Sequence, residues 1–113
     1  MSTTPVEESV VKAQVWAQLP VPVEATTSRV LVNNKVLRIV EFAMDVGQEL
    51  TDHASSRAVT VHIMSGDLTF TVGGNRHAVT AGDVIYLAPG ERHAVVAESP
   101  CRFTLVLVDL DPG

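Results

Sequence analysis

The sequence lacks the features that mark membrane-spanning, secreted and disulfide-stapled proteins. It holds one cysteine, Cys101, among 113 residues, so no disulfide can form within the chain, and an unpaired thiol suits a reducing cytoplasm. No apolar run approaches the ~20 residues that a membrane span needs, and no apolar stretch follows basic residues as in a signal peptide. We therefore expect a cytoplasmic protein with no membrane partner.

Positive charge is also scarce. Eight lysines and arginines stand against 13 acidic residues, which gives a net charge of −5. Such a balance offers no basic surface for a phosphate backbone, so we expect no nucleic acid partner. The sequence also contains no phosphate-binding glycine loop and no serine nucleophile elbow, so it shows no sign of a P-loop NTPase or an α/β-hydrolase.

Short apolar segments separated by turn residues make up most of the chain. A hydrophobic fraction of 46% and the length of one domain allow a packed core. Segments rich in Val, Ile, Leu and Phe predict strands at residues 28–32, 35–44, 58–64, 67–72, 76–80, 84–88, 92–97 and 101–109. About nine short strands with turn residues between them are typical of a sandwich, a jelly roll or a closed barrel.

The first 27 residues differ from this pattern. Val11, Val15 and Leu19 share one face at helical spacing, and two prolines follow them, which predicts a short helix over residues 11–19. The same valine-rich segment is also compatible with an edge strand. We therefore divide the chain into an N-terminal extension, residues 1–27, and a single barrel domain, residues 28–113.

The first of two spaced motifs lies in the middle of the chain. It reads Gly47-x5-His53-x-Ser55-x3-Val59-x6-Gly66. This spacing resembles the first motif of the cupin superfamily, commonly written G-x5-H-x-H-x3,4-E-x6-G. In that comparison Ser55 replaces the second histidine and Val59 replaces the carboxylate.

The second motif begins at Gly82-Asp83 and ends at Pro89-Gly90-x2-His93. It resembles the second cupin motif, G-x5-P-x-G-x2-H-x3-N, although the proline is displaced by one position and alanine stands at the asparagine position. Together the two motifs cover nearly half of the chain. The sequence is thus similar to small RmlC-like cupins.

The resemblance implies an all-β fold, the cupin-type double-stranded β-helix or jelly-roll barrel. In metal-binding cupins the two motifs supply three histidines and one carboxylate. Carried over residue by residue, only His53 and His93 remain as metal ligands. One divalent ion, Fe, Ni, Mn or Zn, could bind there with these two protein ligands, or the site could work with no metal at all. Neutral imidazole suits all of these metals, but a catalytic site usually has three protein ligands.

Three interpretations of the His53–His93 pair stay open. The first is a metal-free site that grips a small organic ligand through His53, Ser55 and His93, with Tyr86 as a further candidate. The second is a metal-dependent enzyme of dioxygenase or isomerase type that acts on a small metabolite. The third is a purely structural pair. The sequence does not decide whether the protein is an enzyme, and it does not fix which way Tyr86 or Arg38 points.

Other candidate ligands are weaker. If Val59 points into the barrel, strand alternation makes His62 point outward. His77 lies on a connecting strand and is expected at the surface, and Cys101 is expected in the core beside Phe103. Small cupins commonly pair, so the resemblance also implies a homodimer.

Overall fold

The computed structural model describes residues 3–111, which form nine β-strands and one short 3-10 helix, Val15–Gln18. The strands are β1 (Thr26–Asn33), β2 (Leu37–Met44), β3 (Glu49–His53), β4 (Ala58–Ser65), β5 (Asp67–Val72), β6 (Asn75–Thr80), β7 (Val84–Leu87), β8 (His93–Ala97) and β9 (Cys101–Val108). Within residues 3–111 no helix is long and apolar enough to cross a membrane.

The strands form two antiparallel sheets. The five-stranded sheet has the order β1-β2-β9-β4-β7, and the four-stranded sheet has the order β3-β8-β5-β6. Chain neighbours such as β2 and β3 or β8 and β9 lie in different sheets, so the chain passes repeatedly from one sheet to the other. This is the jelly-roll barrel expected from the sequence, and that prediction of the fold is confirmed.

The core lies between the two sheets and consists of the residues that alternate inward along each strand. Phe103 of β9 stacks on Phe42 of β2, with ring centroids 5.1 Å apart. It also meets Phe70 of the opposite sheet edge to face at 6.5 Å. Val61 and Ile63 of β4 are buried whereas His62 between them is exposed, so the alternation predicted for this strand is confirmed.

The N-terminal extension runs across the outer face of the five-stranded sheet. Its helical part is the single 3-10 turn rather than a helix over residues 11–19, and β1 begins at Thr26, two residues inside the predicted extension. Arg29 of β1 holds the segment in place, because its guanidinium donates hydrogen bonds to the Gln18 side chain and the Val15 carbonyl and pairs with the buried Glu41 at 3.3 Å. Tertiary contacts therefore shape this segment more than helix propensity does.

Two sequence expectations about the chain as a whole stay predictions. The division at residues 1–27 and 28–113 includes residues 1–2 and 112–113, which lie outside the described part of the chain. The homodimer is likewise untested. The exposed apolar side chains of Val11 and Trp16 in the extension are compatible with it.

Candidate functional site

His53 and His93 meet at one end of the barrel because β3 pairs with β8. β3 ends at His53, β8 begins at His93, and the two residues face each other in the antiparallel register. The turn that precedes β8 is fastened to the loop that follows β3, since the amide of Gly90 donates a 2.7 Å hydrogen bond to the carbonyl of Ser55. We call this end of the barrel the histidine end.

A register shift in β3 decides which side chain meets His93. Leu50 pairs with Val95, and the next pair is His53 with His93, so three steps along β3 match two steps along β8. In a regular strand Asp52 would share the inward face with Leu50, and His53 would point outward. The extra residue of this β-bulge reverses their positions. Asp52 instead forms an exposed ion pair with Arg92 at 2.7 Å.

The two imidazole rings are in direct contact. Their centroids lie 4.2 Å apart and their planes form an angle of 61°. The ring of His93 also lies nearly parallel to that of Phe70 on the neighbouring strand β5, with centroids 6.3 Å apart. Phe70 therefore closes one side of the pair with an apolar wall.

Backbone carbonyls fix the orientation of both rings. Nδ1 of His53 lies 2.6 Å from the carbonyl oxygen of Thr51, and Nδ1 of His93 lies 3.0 Å from that of Glu91. A carbonyl oxygen only accepts hydrogen bonds, so each Nδ1 must carry the proton and donate it. In a neutral ring the Nε2 atom then has a free lone pair, which can accept a hydrogen bond or bind a metal ion.

The two histidines differ in their exposure to water. His93 is 8% exposed, whereas His53 is an exposed residue. Burial lowers the pKa of His93 below its usual 6.5, and the nearby His53 lowers it further, while the bond to the Glu91 carbonyl opposes both effects. His93 is therefore a neutral imidazole near pH 7, whereas the ring of His53 that contacts it lies at the solvent-exposed surface.

The sequence model of the cupin domain family matches residues 40–108, which is more than half of the chain and includes both histidines. The chain belongs to the cupin domain family. No curated protein is similar enough in sequence to be matched.

Solved structures share this fold over most of the chain. A conserved protein of unknown function from Streptococcus pyogenes is 28% identical, with a TM-score of 0.84 over 98% of this chain and 97% of that one. A cupin superfamily protein from Desulfitobacterium hafniense is 13% identical, with a TM-score of 0.81 over 95% of each chain. A predicted oxalate decarboxylase from Thermotoga maritima is 20% identical, with a TM-score of 0.70 over 75% of this chain and 81% of that one. The last two similarities show the fold alone.

The donor set at the histidine end falls short of a full cupin metal site. Ser55 uses its hydroxyl oxygen to accept a hydrogen bond from the amide of Arg57 at 3.1 Å, as a serine in a tight turn does. Val59 is a buried core residue. Among residues 3–111 no group of three or more His, Cys, Asp or Glu side chains is placed to hold a metal ion. The two imidazoles alone do not fit the three-ligand site of a catalytic cupin metal.

The structure does not bring Tyr86 to the histidine pair. Leu87, its neighbour on β7, is buried, so Tyr86 points to the outer face, where it is 63% exposed. It lines a groove of about 360 Å³ at the edges of β6 and β7, together with His77. The assignment of Tyr86 to the same ligand site as His53 is therefore corrected, because strand alternation turns it away from the barrel interior.

Arg38 is the polar residue whose place the sequence left open and the register now gives. It pairs with Leu107 of β9 and lies two residues before the buried Val40 on β2, so its side chain starts from the inner face. Its Nε atom is buried. A hydrophobic-polar pattern gives no signal for it, because an arginine at the end of a strand is usually a surface residue.

Proposed function

We propose that this cupin binds a small organic ligand at the histidine end of the barrel, with His53 and His93 as the groups that grip it. The observation that carries the proposal is the pair of carbonyl-fixed rings, 4.2 Å apart between centroids. Two preoriented acceptor atoms beside an apolar wall are what a small-molecule site needs, since a few placed polar groups set orientation and apolar surface gives affinity.

The unequal burial of the two rings also supports binding rather than a purely structural role. A structural pair would be expected to satisfy its polar atoms within the protein. Here His53 is exposed although its ring is held at 2.6 Å by the Thr51 carbonyl. Fixing an exposed side chain costs rotamer entropy, about 1 kcal/mol for a side chain of this size. A ligand that binds the fixed ring does not have to pay this entropy cost again.

The test is a ligand titration of the chelator-treated protein followed by NMR of the histidine ring nitrogens. The probes are a panel of small polyols, hydroxy acids and amides. We expect at least one probe to shift the ring signals of both His53 and His93, and this response to disappear in His93→Gln. His62→Gln, at an exposed position of β4, is the matched control and should respond as the unmodified protein does.

A metal-dependent enzyme is the second candidate, favoured by one specific observation. Histidines that bind metals usually donate the other ring N–H to a carbonyl or carboxylate, and both rings here do so at Nδ1. An ion bound between the two Nε2 atoms would need further ligands from water or substrate.

Elemental analysis of the protein purified without chelator distinguishes the two candidates. Stoichiometric Fe, Ni, Mn or Zn that is lost in a His53→Gln, His93→Gln double variant would support the metal-dependent enzyme. Ring shifts that occur only after such an ion is added would contradict the metal-free site. Ring shifts in the presence of chelator would support it.

A further inference from the structure

We propose that the groove between the free edges of β6 and β7 is a second binding site, which takes a small neutral phenol. This groove does not include the histidine pair, so the inference goes beyond the proposed function and does not depend on it. Two residues give the groove its chemistry. The ring of Tyr86 packs against the aromatic ring of the ligand, and the imidazole of His77 accepts the proton of the ligand's hydroxyl group.

The groove exists because neither sheet continues past these two strands. β6 is the last strand of the four-stranded sheet and β7 is the last strand of the five-stranded sheet. Within residues 3–111 β6 pairs with β5 alone and β7 pairs with β4 alone. The space between the two edges has a volume of about 360 Å³, which falls within the range of small-molecule pockets, about 300–1,000 Å³. A compound of one ring suits a space near the lower end of this range.

Most of the lining is aliphatic and comes from both sheets. The four-stranded sheet contributes Val72 and Val79, and the five-stranded sheet contributes Val84 and Ile85. All of these except Val84 pack against the buried core residues, whereas Val84 is 63% exposed. The floor of the groove is therefore continuous with the core, while its rim lies in water. An apolar ligand gains affinity by removing such surface from water.

The lining also indicates the charge of the ligand. Its polar members are His77 and Tyr86, and none of the described residues that line the groove is an aspartate, glutamate, lysine or arginine. A carboxylate or an ammonium group would lose water on entering the groove and would find no opposite charge there, which is unfavourable. The groove therefore favours a neutral compound.

The register of β6 directs His77 towards the groove. His77 pairs with Phe70 of β5, and Phe70 lies in the core with an exposed fraction of 2%. Residues directly opposite each other in an antiparallel pair share one face of the sheet. His77 therefore shares the inner face of β6 with Val79, two residues further along the strand. Because β6 is an edge strand, this face reaches the surface at His77, which is an exposed residue.

Neither polar residue of the groove is used by the rest of the protein. Tyr86 is 63% exposed, and within residues 3–111 no hydrogen bond joins its hydroxyl group or the His77 ring to another residue. Aromatic rings favour one another in offset or edge-to-face arrangements. The hydroxyl group of a phenol is a donor, and a neutral imidazole has one nitrogen that accepts. A phenol therefore makes use of both residues while its ring covers the aliphatic floor.

Four compounds separate these contributions. Phenol carries an aromatic ring and an uncharged hydroxyl group, toluene lacks the hydroxyl group, cyclohexanol lacks the aromatic ring, and benzoate carries a negative charge. We expect phenol to bind about fivefold more tightly than each of the other three, because a hydrogen bond and an aromatic pair are each worth a factor of this order. Binding is followed by NMR of the ring signals of His77 and of Tyr86, which is the one tyrosine of the chain.

Variants assign each preference to its residue. His77→Leu should make phenol and toluene bind equally and leave the preference for phenol over cyclohexanol. Tyr86→Leu should remove the preference over cyclohexanol, whereas Tyr86→Phe keeps the aromatic ring and should retain it. His62→Leu, at an exposed position of β4 outside the groove, is the matched control and should bind the four compounds as the unmodified protein does. The backbone NMR spectrum of each variant checks that the fold is intact.

Three results on the unmodified protein would overturn the inference. The first is equal binding of phenol, toluene and cyclohexanol, and the second is binding of benzoate as tight as that of phenol. The third is a change in the ring signals of His77 and Tyr86 with protein concentration alone, since a second copy of the chain would then cover the groove. The response of His53 and His93 to polyols, hydroxy acids and amides tests the proposed function separately.

Discussion

The two ends of the barrel are built from the same strands but carry opposite kinds of side chain. At the histidine end, β2 presents Arg38 and β8 presents His93 to the interior. At the other end the same two strands present Met44 and Ala97, which are 0% and 1% exposed. We call this second end the cysteine end, because Cys101 pairs there with Met44.

The comparison indicates that the two ends of the core have different roles. The cysteine end is closed and apolar, and burial raises the pKa of the Cys101 thiol to about 11, so this thiol is inert near neutral pH. The histidine end has polar groups on inward positions, one of which is exposed. We infer that stability resides mainly at the cysteine end, and that this allows the histidine end to keep side chains that pack less well.

The largest expected effect is a loss of stability from Met44→Ala. Removing a fully buried side chain at the cysteine end leaves a cavity, which costs about 2–5 kcal/mol. The matched variant at the histidine end is His53→Ala, at an exposed position, which we expect to change the free energy of unfolding by less than about 1 kcal/mol. Denaturant unfolding followed by circular dichroism measures both. Equal losses from the two variants would contradict the proposed division.

The next effect concerns Gly66, at the turn between β4 and β5 at the cysteine end. Its φ is +83°, and a Cβ atom there would lie 2.7 Å from Cβ of Cys101 and would also meet the carbonyl of Pro100. We expect Gly66→Ala to cost about 3 kcal/mol, from backbone strain and overpacking together.

Gly74 is the control for the Gly66 prediction. Its φ is +85°, but nothing lies within 4 Å of a Cβ atom at this position. Gly74→Ala should therefore cost only the backbone term, about 1–2 kcal/mol. Thermal unfolding of both variants measures the difference. If the two melting temperatures agree, the close packing of the cysteine end contributes nothing at this turn.

The smallest effect is a pH dependence that originates at the histidine end. Because the pKa of His93 is lower in the folded protein than its usual 6.5, the unfolded chain binds the proton more readily, and stability falls as the pH drops below about 6.5. His93→Gln lacks this contribution. We expect its free energy of unfolding to decrease less than that of the unmodified protein between about pH 7.5 and pH 5.

The measurement is a series of urea titrations on chelator-treated protein, with His62→Gln as the control at an exposed position of β4. The control should lose stability with falling pH as the unmodified protein does. If His93→Gln also follows the unmodified protein, His93 is not held in its neutral form by the fold.

Most of the fold could be predicted from local patterns in the sequence. Alternating residues and turn glycines gave all the strands except β3, with small differences at their ends. The strand β3 gave no signal because Leu50 is the one apolar residue among Glu49–His53. Its place is set by pairing with β8, which is a tertiary contact.

The site was predictable in part. The spacing of the two motifs gave His53 and His93, because residues at fixed places in a known barrel meet in space. The direction of Tyr86 and the inward position of Arg38 could not be predicted, since the sequence does not show which face of β7 or of β2 is buried. The register between strands follows from the packing of whole sheets, and the hydrophobic pattern of one strand does not determine it.

The β-bulge in β3 decides which side chain of this strand stands beside His93. If β3 continued the Leu50–Val95 pairing without the extra residue, Asp52 would face His93 in place of His53, and a carboxylate would stand beside the imidazole. The site would then hold a carboxylate and an imidazole in place of two imidazoles. One residue lost between Leu50 and His53 would therefore change which side chain stands beside His93.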